Sequence, residues 1–220
     1  MKKVGFLKNK IEIMQTIDPQ STSRAKAFEL WMKSPMPMVT LTKTFDISHL
    51  VRISKKKNLK LNMLMCYCVG QAASAIREFY LLPQKDKMLQ YDTLAVNVIV
   101  PNRQGGINSC DIHVTDDLQQ FNRDYLELTK SVAENCESSF RKDDMVIGTS
   151  TMPATELDCI VNQYTELFSN PMVMWGKYRK HLWKTEVPVS FQFHHVQMDG
   201  MDAASFLEKL QETIRTISIK

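Results

Sequence analysis

The sequence is poor in the features that divide a chain. It holds seven glycines in 220 residues and has no Gly/Ser linker, low-complexity tract or internal repeat, which argues against a solenoid or a string of small modules. One domain over residues 1–220 is therefore expected, and an apolar content of 44% is enough for a substantial core. No stretch approaches the ~18 uninterrupted apolar residues of a membrane-spanning helix. The opening Met1-Lys-Lys-Val-Gly-Phe-Leu-Lys-Asn-Lys is basic, but polar and charged residues interrupt the next segment before an export signal can form, and this points to the cytoplasm. The five cysteines, Cys66, Cys68, Cys110, Cys136 and Cys159, are odd in number and scattered mostly through apolar segments. That suits reduced thiols better than a disulfide framework. The net charge is only +4, with no basic run interleaved with aromatics, so nucleic acid is a poor partner, although local basic spots can hold a phosphorylated cofactor.

Two hydrophobic periods alternate along the chain. Hydroxyls at Ser21-Thr-Ser precede a short helix over Ala25 to Met32, which Pro35 and Pro37 close. Met38 to Phe45 alternates as a strand and runs into Asp46, an expected N-cap for a helix over Ile47 to Lys57. Asn62 to Phe79 is apolar on nearly every side and reads as a buried helix. Strands are expected at Met88 to Tyr91, Leu94 to Val100 and Ile107 to Val114, with Asn102-Arg-Gln-Gly-Gly106 as a hairpin connection. An amphipathic helix over Leu118 to Cys136 comes after Thr115-Asp116-Asp117. Further strands are expected at Met145 to Thr149, Leu157 to Asn162 and Met172 to Arg179. Without a regular βαβ beat, the order predicts an α+β sandwich of helices against a mixed sheet.

The chemistry concentrates near the C-terminus. Val187, Val189, Phe191 and Phe193 alternate with Pro188, Ser190 and Gln192 as a half-buried strand. It ends in His194 and His195, succeeded by Asp199, Gly200 and an apolar-periodic helix to Ile217. An unperturbed imidazole titrates near pH ~6.5, so either ring can act as a base at neutral pH. A purely structural histidine, or half of a metal site with Asp199, are the competing readings; no Cys, His or carboxylate cluster at ligand spacing supports the metal.

The string His194-His195-Val196-Gln197-Met198-Asp199-Gly200 resembles the His-His-x-x-x-Asp-Gly signature of CoA-dependent acyltransferases, and within them the chain resembles the chloramphenicol acetyltransferases. Arg24-Ala-Lys-Ala-Phe28-Glu29, Phe45-Asp46-Ile47 with Lys60, and Gly176-Lys177-Tyr178 match the family's pattern; Tyr80 to Glu156 matches weakly. The resemblance implies a two-layer α+β sandwich of a mixed sheet with helices, and an O-acetyltransferase that uses acetyl-CoA and no metal. It also implies a homotrimer with sites between subunits, and chloramphenicol or a similar aromatic alcohol as acceptor. His195 is implied as the general base, and Asp199 paired with Arg24 as structural support. Lys177, Tyr178 and Lys60 are implied as contacts to the adenosine phosphate end of CoA, and Trp31, Met172 and Met174 as acceptor-pocket lining. The oxyanion hydroxyl, counted forward from Pro153, falls on Glu156, with Thr155 one place earlier able to supply the group; a second family hydroxyl is replaced by Met174. These departures leave open a different acceptor, or a CoA-binding protein without turnover.

Overall fold

The computed structural model describes residues 14–165 and 167–218; the basic opening lies outside them. The main sheet is built from β2 (Met38–Asp46), β5 (Leu94–Pro101), β6 (Ile107–His113), β7 (Met145–Met152), β8 (Met172–Gly176) and β10 (Thr185–His194), in the order β2-β10-β8-β7-β5-β6. The short β9 (Arg179–Lys180) also pairs with β10. β5, β7 and β8 run parallel and the other pairings are antiparallel, so the sheet is mixed. A small sheet of β1 (Met14–Ile17), β3 (Leu81–Gln84) and β4 (Lys87–Tyr91) packs a satellite cluster with Phe28 and Met32 of α1 (Ala25–Trp31) and its C-terminal end.

The helices α2 (Ser48–Lys57), α3 (Leu61–Ser74), α4 (Leu118–Asn135) and α5 (Gly200–Thr216) form the second layer. As its composition dictates, α3 lies at the centre, with every residue from Met63 to Gly70 buried. Its Cys66 thiol touches the Thr149 hydroxyl of β7 at 3.7 Å. The inward row of β10 (Val187, Val189, Phe191, Phe193) meets α5 through Phe191 and Phe206, whose rings lie 4.5 Å apart. The expected α+β architecture is the one observed.

Local differences have physical causes. The helix expected to reach Phe79 stops at Ser74, and a 3-10 turn over Arg77–Tyr80 succeeds it. The Tyr80 hydroxyl donates to the Ser74 carbonyl at 3.2 Å, and the break delivers Phe79 to Phe206 at 4.9 Å. Residues 157–162 form no strand: the Ile160 carbonyl accepts from the Ser190 hydroxyl and Asp158 pairs with Arg179, so side chains take the bonds a ladder would have used. All five cysteines are free, and Cys66, Cys68 and Cys110 are buried. Burial pushes the Cys66 thiol up to about 12, so it stays protonated and inert.

Candidate functional site

β10 is a ruler with a feature at each end. At its C-terminal end the His195 ring stacks on Trp31, centroids 5.0 Å apart and planes within 6°. The ring's Nδ1 is buried with no hydrogen-bond partner among the described residues, whereas Nε2 is not sealed in the same way. The backbone there is held from both sides. The His195 amide donates to the Pro37 carbonyl at 2.8 Å. Arg24, only 8% exposed, donates from Nη2 to the His195 carbonyl at 2.9 Å and from Nε to the Val196 carbonyl at 3.0 Å. Its Nη1 reaches Asp199 at 3.2 Å and Asp202 at 3.7 Å. The guanidinium fork thus clamps the turn carrying the imidazole to the helix start behind it.

Asp199 has two tasks. Besides meeting Arg24, it closes a reciprocal capping box with Asp202 at the start of α5. Burial acts to raise its carboxyl, but donation from the Asp202 and Met201 amides and from Arg24 outweighs it and holds the group below the usual carboxylate range. Its neighbour His194 is sequestered: 3% exposed, it accepts from the Val196 amide through Nδ1 at 3.1 Å. Burial, with His195 beside it, pushes it down to about 4, so it is neutral across the physiological range.

At the other end of β10 a cavity of about 300 Å³ opens between the start of α3 (Leu61, Asn62, Met65), the end of β7 (Thr151, Pro153), and Trp175 through Tyr178. Pro188, which has no amide to give, stands where the neighbouring edge is interrupted, since β8 ends at Gly176 and β9 begins at Arg179. Lys177 and Tyr178 occupy that interruption and line the cavity. Lys60, exposed, sits one residue before Leu61 in the opposite wall. The Oδ1 of Asn62, a cavity residue, is buried without a hydrogen-bond partner among the described residues. Cationic groups, an aromatic ring and an orphaned acceptor together fit a ligand with phosphates, a base and amide N–H groups.

Of the remaining residues singled out from sequence, Met172 pairs with Gln192 and Met174 with Ser190, so both lie along the middle of β10 on the face turned away from α3. Thr155 is exposed in the turn after β7; its hydroxyl meets only the Glu156 carbonyl, at 3.4 Å, and its own carbonyl accepts from the Lys177 amide at 2.7 Å. Glu156 is engaged by Arg179 at 3.3 Å. A hydroxyl passed over in the sequence is Ser150, half-buried on β7, paired with Met174 and on the same face. Among the described residues, no group of three or more His, Cys, Asp or Glu side chains could hold a metal, and no helix is long and apolar enough to cross a membrane.

A mixed sheet backed by one helical layer, with a clamped histidine pair at the end of an interior strand, is the fold of the CoA-dependent acyltransferases, and the family model and curated relatives make the chain an acyltransferase. The chain belongs to the chloramphenicol acetyltransferase family, whose model matches residues 13–211. It is 23% identical over 205 residues to chloramphenicol acetyltransferase 3 of Escherichia coli, covering 89% of this chain and 94% of that protein. It is 23% identical over 202 residues to the chloramphenicol acetyltransferase of Clostridium butyricum, covering 89% and 92%. A solved chloramphenicol acetyltransferase superposes with a TM-score of 0.77 at 18% identity, over 91% of this chain and 99% of that one. A probable dihydrolipoamide acetyltransferase from Listeria monocytogenes gives 0.67 at 14%, over 90% and 94%, and shows the same fold.

Proposed function

We propose that this acyltransferase moves the acetyl group of acetyl-CoA to a hydroxyl of chloramphenicol or a similar hydrophobic aromatic alcohol, in the cytoplasm, as a homotrimer of single-domain chains with its sites between subunits. The observation that carries this reading is the His195 ring: stacked on Trp31, its backbone clamped by Arg24, with only Nε2 left to meet a substrate. Nε2 takes the proton of the acceptor hydroxyl as its oxygen attacks the thioester carbonyl. The tetrahedral oxyanion is met by a hydroxyl donor. As the C–S bond breaks, the proton passes from the imidazolium to the departing thiolate. CoA lies with its phosphates toward Lys177 and Lys60 and its base by Tyr178, and the Asn62 Oδ1 accepts from a pantetheine amide. No metal is required for these steps.

Two features support a site shared between chains. Val187 and His195 are eight residues apart, roughly 26 Å along an extended strand, so the cavity and the base sit at opposite ends of one subunit. Around His195, Leu30, Trp31 and Met36 expose apolar surface that a second subunit would cover.

Thiol release from acetyl-CoA with chloramphenicol as acceptor tests the reading. His195→Ala is expected to lower kcat by about 10³ or more, and a variant with full activity overturns the base. Ser150→Ala and Thr155→Ala separate the oxyanion donors: the half-buried Ser150 is expected to cost about 10² in kcat, the exposed Thr155 little. A second reading keeps the chemistry and changes the acceptor. It is favoured by Ser190, Gln192 and Asn162, buried polar groups beneath Met172 and Met174, and it predicts turnover on other hydroxylated aromatics in the same assay. CoA binding with no thiol release on any alcohol or amine would instead mark a binding protein.

A further inference from the structure

The hairpin joining β9 to β10 carries two apolar side chains that neither the core nor the CoA cavity uses. Lys180 pairs with Thr185, and the His181 amide donates to the Lys184 carbonyl at 2.7 Å, which leaves Leu182 and Trp183 alone at the tip. A two-residue turn of this kind ordinarily favours Gly, Asn, Asp or Ser. Neither tip residue has a positive φ, so the backbone sets no demand for these particular side chains. Each is 93% exposed, more than any other large apolar residue described. Around them stand Arg179, Lys180, His181 and Lys184; Glu186 pairs with Lys184 and His181, and Arg179 is held by Asp158 and Glu156, so Lys180, lying over the Tyr178 ring, is the cation of the hairpin with no carboxylate partner among the described residues.

We propose that this tip docks the enzyme reversibly on an anionic lipid surface, with Leu182 and Trp183 entering the headgroup layer and the surrounding lysines meeting lipid phosphates and carboxylates. An indole and a leucine at the point of a basic protrusion are what such a layer takes up: the indole sits at the boundary between polar and apolar regions, and lysines supply the attraction that one or two apolar groups alone cannot. Two other occupants fit less well. The core of an interface between protein subunits disfavours lysine and needs far more area than two side chains provide. The adenine of CoA is also disfavoured, because residues 181–184 take no part in the walls of the cavity that Lys177 and Tyr178 line. The proposal does not depend on His195 or on the acceptor.

Co-sedimentation of the full chain with phosphatidylcholine vesicles, with and without phosphatidylserine, tests it. The expected result is about tenfold or greater enrichment on the anionic vesicles, weakening as salt is raised. It should be accompanied by a blue shift of tryptophan emission that Trp183→Phe removes. Leu182→Ser combined with Trp183→Ser is expected to fall to the level seen with phosphatidylcholine while thiol release is kept, and Lys180→Gln to lie between. Wild-type protein that stays in the supernatant with both vesicles overturns the proposal, as does a double variant that still sediments. A double variant with an altered oligomeric size would make the tip a contact between copies, and one with a raised KM for acetyl-CoA would make it part of the cofactor entrance; either result also overturns the proposal.

Discussion

At the scale of single residues, the two adjacent histidines have opposite environments, and the difference can be measured. His194 is neutral and buried, and its depressed value of about 4 means that the fold resists protonating a group that the unfolded chain protonates near 6.5. The stability tied to that difference is fully present above the unfolded value and is lost as pH falls toward the folded one. At ~1.4 kcal/mol per unit the loss is roughly 3 kcal/mol between pH 6.5 and 4. The midpoint of urea unfolding is expected to drop over this window in the wild type. In His194→Asn, which keeps an acceptor for the Val196 amide but has nothing to protonate, the drop should be much smaller. Asp199, held below the usual carboxylate range, adds its own loss only at lower pH, so the two contributions separate. Equal slopes for both proteins would show that His194 does not govern this limb. Alternation along a strand sends neighbouring side chains to opposite faces. It could not show that Arg24 grips the carbonyls of His195 and Val196 as well as Asp199, because backbone acceptors leave no mark in the residue pattern.

At the scale of elements, most of the fold was legible because each long segment carries one period. β2, β10, α4 and α5 match their expected ranges to within a few residues. What escaped were short pieces fixed by distant partners. β3 contains Pro83, which reads as a breaker, yet it pairs with β4 as an edge strand where a missing amide does no harm. β1 has four residues, mostly exposed, and owes its pairing to β4 alone. The end of β8 is the element boundary that shapes the wall of the proposed cofactor cavity. A Cβ at Gly176 would stand 3.0 Å from both the Thr155 carbonyl and the Leu157 Cγ, and the first of these is backbone that cannot rotate away. Gly176→Val is therefore expected to push the 155–157 turn off Lys177, whose amide bonds to that same carbonyl, and to distort the cavity wall. The expected outcome is a several-fold higher KM for acetyl-CoA, with acceptor KM little changed and a Tm loss of a few degrees. An unaltered acetyl-CoA KM would remove this end of the sheet from the cofactor site.

At the scale of the whole molecule, the proposed base and the proposed cofactor cavity lie at opposite ends of β10, and this separation makes the proposed assembly testable. One chain presents the imidazole at one end of an interior strand and the phosphate-suited cavity at the other, and the apolar side chains beside the imidazole are exposed. If base and cavity meet across a subunit interface, a chain lacking one can be rescued by a chain lacking the other. Take a His195→Ala chain and a chain carrying Gly176→Val with Lys177→Glu, assayed at acetyl-CoA low enough that each alone turns over little, unfolded together and refolded as a mixture. In any trimer containing both kinds, one of the interfaces joins an intact base to an intact cavity. Random assembly from equal amounts then restores about a quarter of the wild-type sites. If each site is complete within its own chain, every site in every mixed trimer keeps one defect and mixing restores nothing. Thiol release by the mixture, compared with the two variants refolded separately, therefore distinguishes the arrangements without any knowledge of the acceptor's identity. Measured by the same assay, dilution below the dissociation range of the oligomer should abolish wild-type turnover while leaving the secondary structure of each chain in place.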